Sequence, residues 1–203
     1  MVVSGMERTT DTADLEAMLL YSVIVAGKNA EFANNVTRRW LRRYRGCDES
    51  PFDTIRRLDE DGELEASFRD VRSGNYSKVT SAAREMAAAS LDLSVCTPQE
   101  LEQIKGVGPK TSRFFIIWTR PEEEYAALDV HILRWLRNLG YDAPKSTPQS
   151  TKRYSELEEI FIREAHDRGK TPRELDEEIW KAASNNVNRV ERQQDDPMNK
   201  GKG

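Results

Sequence analysis

Apolar residues recur at three- and four-residue spacing along most of the chain, while the alternating runs that mark strands are almost absent. The pattern predicts an all-α fold. Leu15, Met18, Leu19, Ser22 and Val23 mark one face of a first helix, and a break near Gly27 separates it from a second, in which Phe32, Val36, Trp40 and Leu41 recur. The other face of that second helix carries Arg38, Arg39, Arg42, Arg43 and Arg45. Short helices are expected between Pro51 and Val71. Ser73-Gly74-Asn75-Tyr76 then turns the chain into an Ala-rich helix that runs through Ala89.

Helix starts are plainly written in the second half. Thr97-Pro98-Gln99-Glu100 and Thr171-Pro172-Arg173-Glu174 each supply an N-cap hydroxyl, a proline at the first helical position and a glutamate at the third. Thr147-Pro148 predicts another start of the same kind. Asp129 stands immediately before Val130-His131-Ile132-Leu133-Arg134-Trp135-Leu136, and Gly140 closes that run with the residue type favoured just past a helix end. The chain turns polar from about Asn185, so residues 186–203 are expected to form a disordered tail. Residues 1–12 read as an N-terminal extension, and a helical domain occupies 13–185.

Composition narrows the class. The 203 residues suffice for one domain, or for two small lobes with a cleft between them. Charged residues make up 33% and no apolar run approaches the ~18 residues that span a bilayer, nor is there a signal-peptide pattern, so an intracellular protein without a membrane partner is expected. Cys47 and Cys96 stand far apart with no Cys or His at metal-ligand spacing, which argues against an iron–sulfur cluster and a structural zinc. Two free thiols suit a reducing compartment. The net charge of −4 is not that of a simple nucleic-acid binder, so any affinity for DNA must be focused locally, by the arginine face and by the segment described next.

Residues 101–115, Leu-Glu-Gln-Ile-Lys-Gly-Val-Gly-Pro-Lys-Thr-Ser-Arg-Phe-Phe, bring two helical patterns together at Gly106-Val107-Gly108. The glycines permit positive φ and close backbone approach, Val107 plugs the space between the helices, and Pro109 starts the second one. Exposed N–H groups at that helix start form a site for a phosphate. By its residues alone the segment is either a DNA-gripping hairpin or an ordinary αα-hairpin.

The order Gly-Val-Gly-Pro-Lys-Thr, an apolar helix, then Ala-Leu-Asp-Val-His-Ile-Leu-Arg resembles the signature of the helix-hairpin-helix DNA glycosylase superfamily. The resemblance covers roughly residues 15–185. It implies a two-lobed helical fold, a DNA-binding cleft between the lobes and a catalytic carboxylate at Asp129 in the segment 125–131. Cleavage of a glycosidic bond builds positive charge on the sugar, and a fixed carboxylate beside C1′ stabilises it. From its position alone Asp129 is also a plain N-cap, and one carboxylate can serve both purposes. The resemblance places Lys110 where bifunctional members carry the amine that attacks C1′ and forms a Schiff base. An attacking lysine must be neutral part of the time, which burial or a nearby cation such as Arg113 favours.

Other positions follow from the same resemblance. Lys28 and Asn29 fall where members place a gap-filling amide, Asn75 and Tyr76 near the opposite wedge, and His131 near the DNA backbone. Each is equally readable as a loop or helix-start residue with local bonds. Asp176 and Trp180, one helical turn apart, resemble the pair with which compact, cluster-free 8-oxoguanine glycosylases hold the oxidised purine; the alternative is a core Trp180 and a solvated Asp176. The expected function is therefore a DNA glycosylase and AP lyase of base excision repair that flips out and excises an oxidised purine, 8-oxoguanine first, and cleaves the strand by β-elimination. The expected partner is double-stranded DNA with a damaged or modified base, met by a monomer without cofactor or metal, in a cytoplasmic, nucleoid-associated or nuclear setting. Two alternatives stay open: a glycosylase for a modified pyrimidine, and a non-catalytic DNA-binding hairpin module.

Overall fold

The computed structural model describes residues 8–194, with side chains as far as residue 183. Ten helices and no strand make up the described residues, as the apolar spacing predicts. The chain divides into two compact units, Met1–Ala127 and Leu128–Gly203.

The first unit is built around α1 (Thr12–Ile24), capped by the Asp11 carboxylate. The sequence suggests one apolar face; the structure instead buries every residue from Leu15 to Ile24. A helix apolar on all sides belongs inside a core. Here α2 (Ala30–Tyr44), α3 (Pro51–Glu60), α5 (Tyr76–Ala88) and α7 (Pro109–Thr119) pack around it. Its one buried charge, Glu16, accepts the Phe52 N–H at 2.8 Å and so satisfies an open donor at the start of α3. On α2, Val36 and Trp40 are buried, while Phe32 faces solvent at 44% exposure, against the apolar stripe expected for it. Trp40 stacks on Phe68 of α4 (Leu64–Asp70), and its indole N–H donates to Ser67 Oγ at 2.9 Å. A buried tryptophan with its polar atom satisfied contributes on the order of 2–3 kcal/mol through burial.

In the second unit, α8 (Val130–Asn138), α9 (Thr151–His166) and α10 (Pro172–Gln194) close over Leu133, Leu136, Leu157, Phe161 and Leu175. The end of α8 is a Schellman motif: Gly140, at φ +94°, donates to the Arg137 carbonyl and Tyr141 donates to that of Leu136. Thr171 and Glu174 exchange bonds at the start of α10, as their spacing predicts. Thr147-Pro148 is different. It starts no helix; α9 begins four residues later behind Ser150, and the Thr147 hydroxyl donates to the Leu128 carbonyl at 2.9 Å. The backbone of α10 is helical through Gln194, nine residues into the segment read as a tail, because Arg, Glu and Gln are good helix formers whatever their polarity. The rest of that segment, and residues 1–7 of the N-terminal extension, lie outside the described residues.

Among the described residues no helix is long and apolar enough to cross a membrane, and no cluster of three metal-ligating side chains occurs. Both cysteines are free: Cys47 is exposed, and burial pushes the Cys96 thiol up to about 11.

Candidate active site

The hairpin begins with α6 (Pro98–Leu101), capped by reciprocal Thr97–Glu100 bonds. The helical pattern expected to reach Lys105 tightens after one turn into three-residue bonds, Gln103 N–H to the Glu100 carbonyl and Ile104 N–H to that of Leu101. Val107 is buried at 4% exposure and donates back to the Ile104 carbonyl. The two glycines differ in kind. Gly106 sits at φ +97°, and a Cβ there would lie 2.8 Å from that of Ala82. Gly108 has φ −98°, and a Cβ there would meet no atom within 4 Å. Nothing inside the protein requires glycine at 108, whereas a ligand drawn up against the backbone would. No side chain caps α7, so its first N–H groups remain open to such a ligand.

The pair of glycines therefore supports a two-variant prediction. Gly106→Ala adds left-handed strain to a steric conflict with Ala82, a loss on the order of 2–3 kcal/mol, and should lower Tm by about 5–10 °C. Gly108→Ala should hold Tm within about 2 °C, because the conformation is open to any residue. Its affinity for duplex should nevertheless fall about tenfold or more, roughly 1.4 kcal/mol. Thermal melts and fluorescence-anisotropy titrations on both variants separate the roles; normal binding by Gly108→Ala would remove the close-approach argument.

Lys110, in the first turn of α7, is half-buried and makes no hydrogen bond or ion pair among the described residues. Arg113, offered by the sequence as a cation to tune it, is committed elsewhere: it is 3% exposed and its Nη1 bonds the Glu102 carboxylate. The Glu102 Oε1 that takes Arg113 also accepts the Ser112 hydroxyl at 3.0 Å, and that hydroxyl reaches the Pro109 carbonyl as well. This carboxylate from the first arm fastens the turn that carries Lys110. Sequence reading missed Glu102, although its spacing of ten and eleven residues from Ser112 and Arg113 across a tight turn makes such a bridge possible.

Also in the first unit, the structure brings together the two loops that the sequence pairs as gap fillers. The Lys28 side chain lies against Gly74, with Cε 3.5 Å from where a Cβ would stand. Lys28 Nζ donates to the Ile24 carbonyl at 2.9 Å, capping the end of α1, and burial lowers its pKa. Asn29 spends its Oδ1 on the N–H groups of Glu31 and Phe32 as the N-cap of α2. Asn75 is exposed at φ +49° with no capping bond, and the Arg69 guanidinium lies 4.6 Å over the Tyr76 ring.

The second unit holds the carboxylate. Asp129 is the N-cap of α8: its Oδ1 accepts the N–H groups of His131 and Ile132 at 2.8 and 2.9 Å. Oδ2 carries no bond among the described residues. The preceding residue is pinned on both sides, with Leu128 N–H donating to the Tyr154 hydroxyl at 3.0 Å and its carbonyl receiving Thr147. Tyr154 and Thr147 thus hold the backbone immediately before Asp129, a task that spacing in the sequence does not reveal. His131 is half-buried, and its Nδ1 has no hydrogen-bond partner among the described residues. On α10, Asp176 is half-buried and Trp180 is 41% exposed, so Trp180 is not a core residue and its ring offers a surface.

An all-α chain with a glycine hairpin opening one helix and a carboxylate capping the next defines a class of helical fold rather than a single protein. No family model matches the sequence. The structure is similar to the crystal structure of the 8-oxoguanine DNA glycosylase of Thermotoga maritima, with a TM-score of 0.64 at 24% identity, over 83% of this chain and 78% of that one. The chain has the helical fold of that enzyme.

Proposed function

We infer that this chain is a DNA glycosylase with AP lyase activity that extrudes and excises an oxidised purine, 8-oxoguanine above all. The observation that carries the assignment is that two side chains of complementary chemistry stand at helix starts, Lys110 in the first turn of α7 and Asp129 as the N-cap of α8, with reacting atoms uncommitted. Lys110 Nζ has no partner among the described residues, and Asp129 binds backbone through Oδ1 only. The open N–H groups at the start of α7 suit a DNA phosphate. The likeness in fold to an 8-oxoguanine DNA glycosylase supports the substrate class, and the exposed Trp180 with Asp176 supplies a stacking face and an acceptor for a flipped base.

In the chemistry this assigns, the neutral Lys110 amine bonds to C1′ as the C1′–N bond breaks and its electron pair leaves with the base. Asp129 stabilises the positive charge that develops on the sugar. Passage of one amine proton to O4′ as the C1′–O4′ bond breaks opens the sugar ring and gives a protonated Schiff base between Lys110 and C1′, while the departed base takes a proton from solvent. Loss of the C2′ proton then expels the 3′ phosphate by β-elimination.

Borohydride added to the protein with an 8-oxoguanine duplex should trap a covalent protein–DNA adduct, read on a denaturing gel. Release of the base without an adduct would leave a glycosylase and remove the lyase. Duplex binding without base release from any lesion in a purine and pyrimidine panel would leave a binding module, and excision confined to a modified pyrimidine would reassign the pocket.

A further inference from the structure

The chain as a whole is acidic, at −4, yet α2 with its C-cap holds five arginines against one acidic residue, Glu31. All five are exposed. Arg38, Arg42 and Arg45 follow one another at i, i+4 and i+7, so they form a row along the helix face opposite the buried Ala33, Val36, Thr37 and Trp40. Arg39 flanks that row. Elsewhere in the first unit most arginines are committed: Arg56 holds Asp53, Arg57 holds Glu49, Arg69 holds Glu65, Arg84 holds Asp59 and Arg120 bonds the Cys96 carbonyl, while Arg72 is a single exposed cation outside any row. On α2 only Arg43 holds a carboxylate, that of Asp70 at 2.9 Å. Arg38, Arg39, Arg42 and Arg45 have no hydrogen bond or ion pair among the described residues.

Such a row is unfavourable for the isolated protein. Arg38 and Arg42, and likewise Arg39 and Arg43, are like charges one turn apart, which destabilise a helix. The helix dipole favours cations in the last turn, but Arg38 and Arg39 lie before it. The row runs over seven residue steps, about 10 Å at 1.5 Å per step, room for successive phosphates of one strand. Guanidinium groups match phosphate oxygens in fork geometry and carry no information about base sequence.

Resting on the reading of this chain as a DNA-acting protein, we propose that the Arg38–Arg42–Arg45 row is a second contact, separate from the hairpin, that holds the phosphodiester backbone of duplex DNA irrespective of sequence or lesion. It gives an acidic protein its general affinity for DNA and leaves recognition of the damaged base to other residues. Binding through this row is ionic and releases counterions from the duplex.

The test is the salt dependence of binding to undamaged and 8-oxoguanine duplexes, for the wild type, the triple variant Arg38→Gln/Arg42→Gln/Arg45→Gln, and Arg84→Gln as a control whose charge is already paired. Each lost phosphate contact lowers the slope of log K against log salt by ~0.9, so the triple variant should show a slope smaller by roughly 2–3. It should lose affinity for both duplexes by the same factor, with Tm held within about 4 °C because relief of the Arg38–Arg42 repulsion and loss of cations from the helix end offset one another, and Arg84→Gln should keep the wild-type slope. A triple variant with the wild-type slope overturns the proposal, as does a loss confined to the lesion duplex or a wild type that prefers duplex RNA. A wild type that binds no duplex at all fails at the underlying reading instead. Salt-dependent binding without base excision would retain the row and reject the enzyme.

Discussion

Asp129→Asn should abolish most base excision while leaving the fold as it is. Asparagine is as good an N-cap as aspartate, and its side-chain oxygen can accept the same two N–H groups, from His131 and Ile132, that Oδ1 accepts now. What disappears is the negative charge on Oδ2, the oxygen without a structural task among the described residues. Loss of one preorganised group at a developing charge slows a reaction on the order of 10²–10³-fold. Single-turnover release of 8-oxoguanine should fall by that factor, with Tm held within about 2 °C. Asp129→Ala should show the same loss of rate and, with the cap gone, a destabilisation of about 1 kcal/mol, which lowers Tm by roughly 2–4 °C in a chain of this size. An asparagine variant with the wild-type rate would reduce Asp129 to a cap.

The parts of this fold legible in the sequence are those encoded by neighbours a few residues apart. Thr97 with Glu100, Thr171 with Glu174, Asp129 before its apolar run and Gly140 after it each carry a local rule, and the structure places a helix end at each. Thr147-Pro148 carries the same local sign and starts no helix; its hydroxyl donates instead to the Leu128 carbonyl, nineteen residues away. The burial of α1 on all sides illustrates a related limit: which of two polar-spaced faces is covered depends on how many helices pack around it, not on its own period.

The site divides along the same line. Gly106 and Gly108 look alike in the sequence, and only coordinates separate the one the fold needs from the one that leaves room for a ligand. Asn29 and Lys28, adjacent in the chain, prove to have local duties as helix caps, which a resemblance at those positions does not disclose. Arg113 next to Lys110 suggests electrostatic tuning; Glu102, on the other arm, takes that charge and turns it into a fastening. Tyr154 and Thr147 reach the Leu128 backbone across the tertiary fold, so they leave no periodic trace around Asp129.

Lys110→Gln should eliminate borohydride trapping and strand cleavage altogether, and Lys110→Arg should restore neither. The comparison matters because a cation at the start of α7 has two possible uses. If it only holds a phosphate, arginine serves as well or better, since its fork fits phosphate oxygens. If it is the nucleophile, arginine fails, because a guanidinium stays protonated and forms no Schiff base with C1′. Neither variant should disturb the fold: Lys110 makes no bond among the described residues, and it sits in a first helical turn, where the dipole disfavours a cation by about 0.3–1 kcal/mol. Lys110→Gln is therefore expected to melt at the wild-type temperature or slightly above it, which removes unfolding as an explanation for lost chemistry. Slow base release should persist in both variants, because on the proposed assignment Asp129 would still stabilise the charge on the sugar and water would take the place of the amine. Strand cleavage by Lys110→Arg at the wild-type rate would place the nucleophile elsewhere and leave Lys110 as a contact to the DNA backbone.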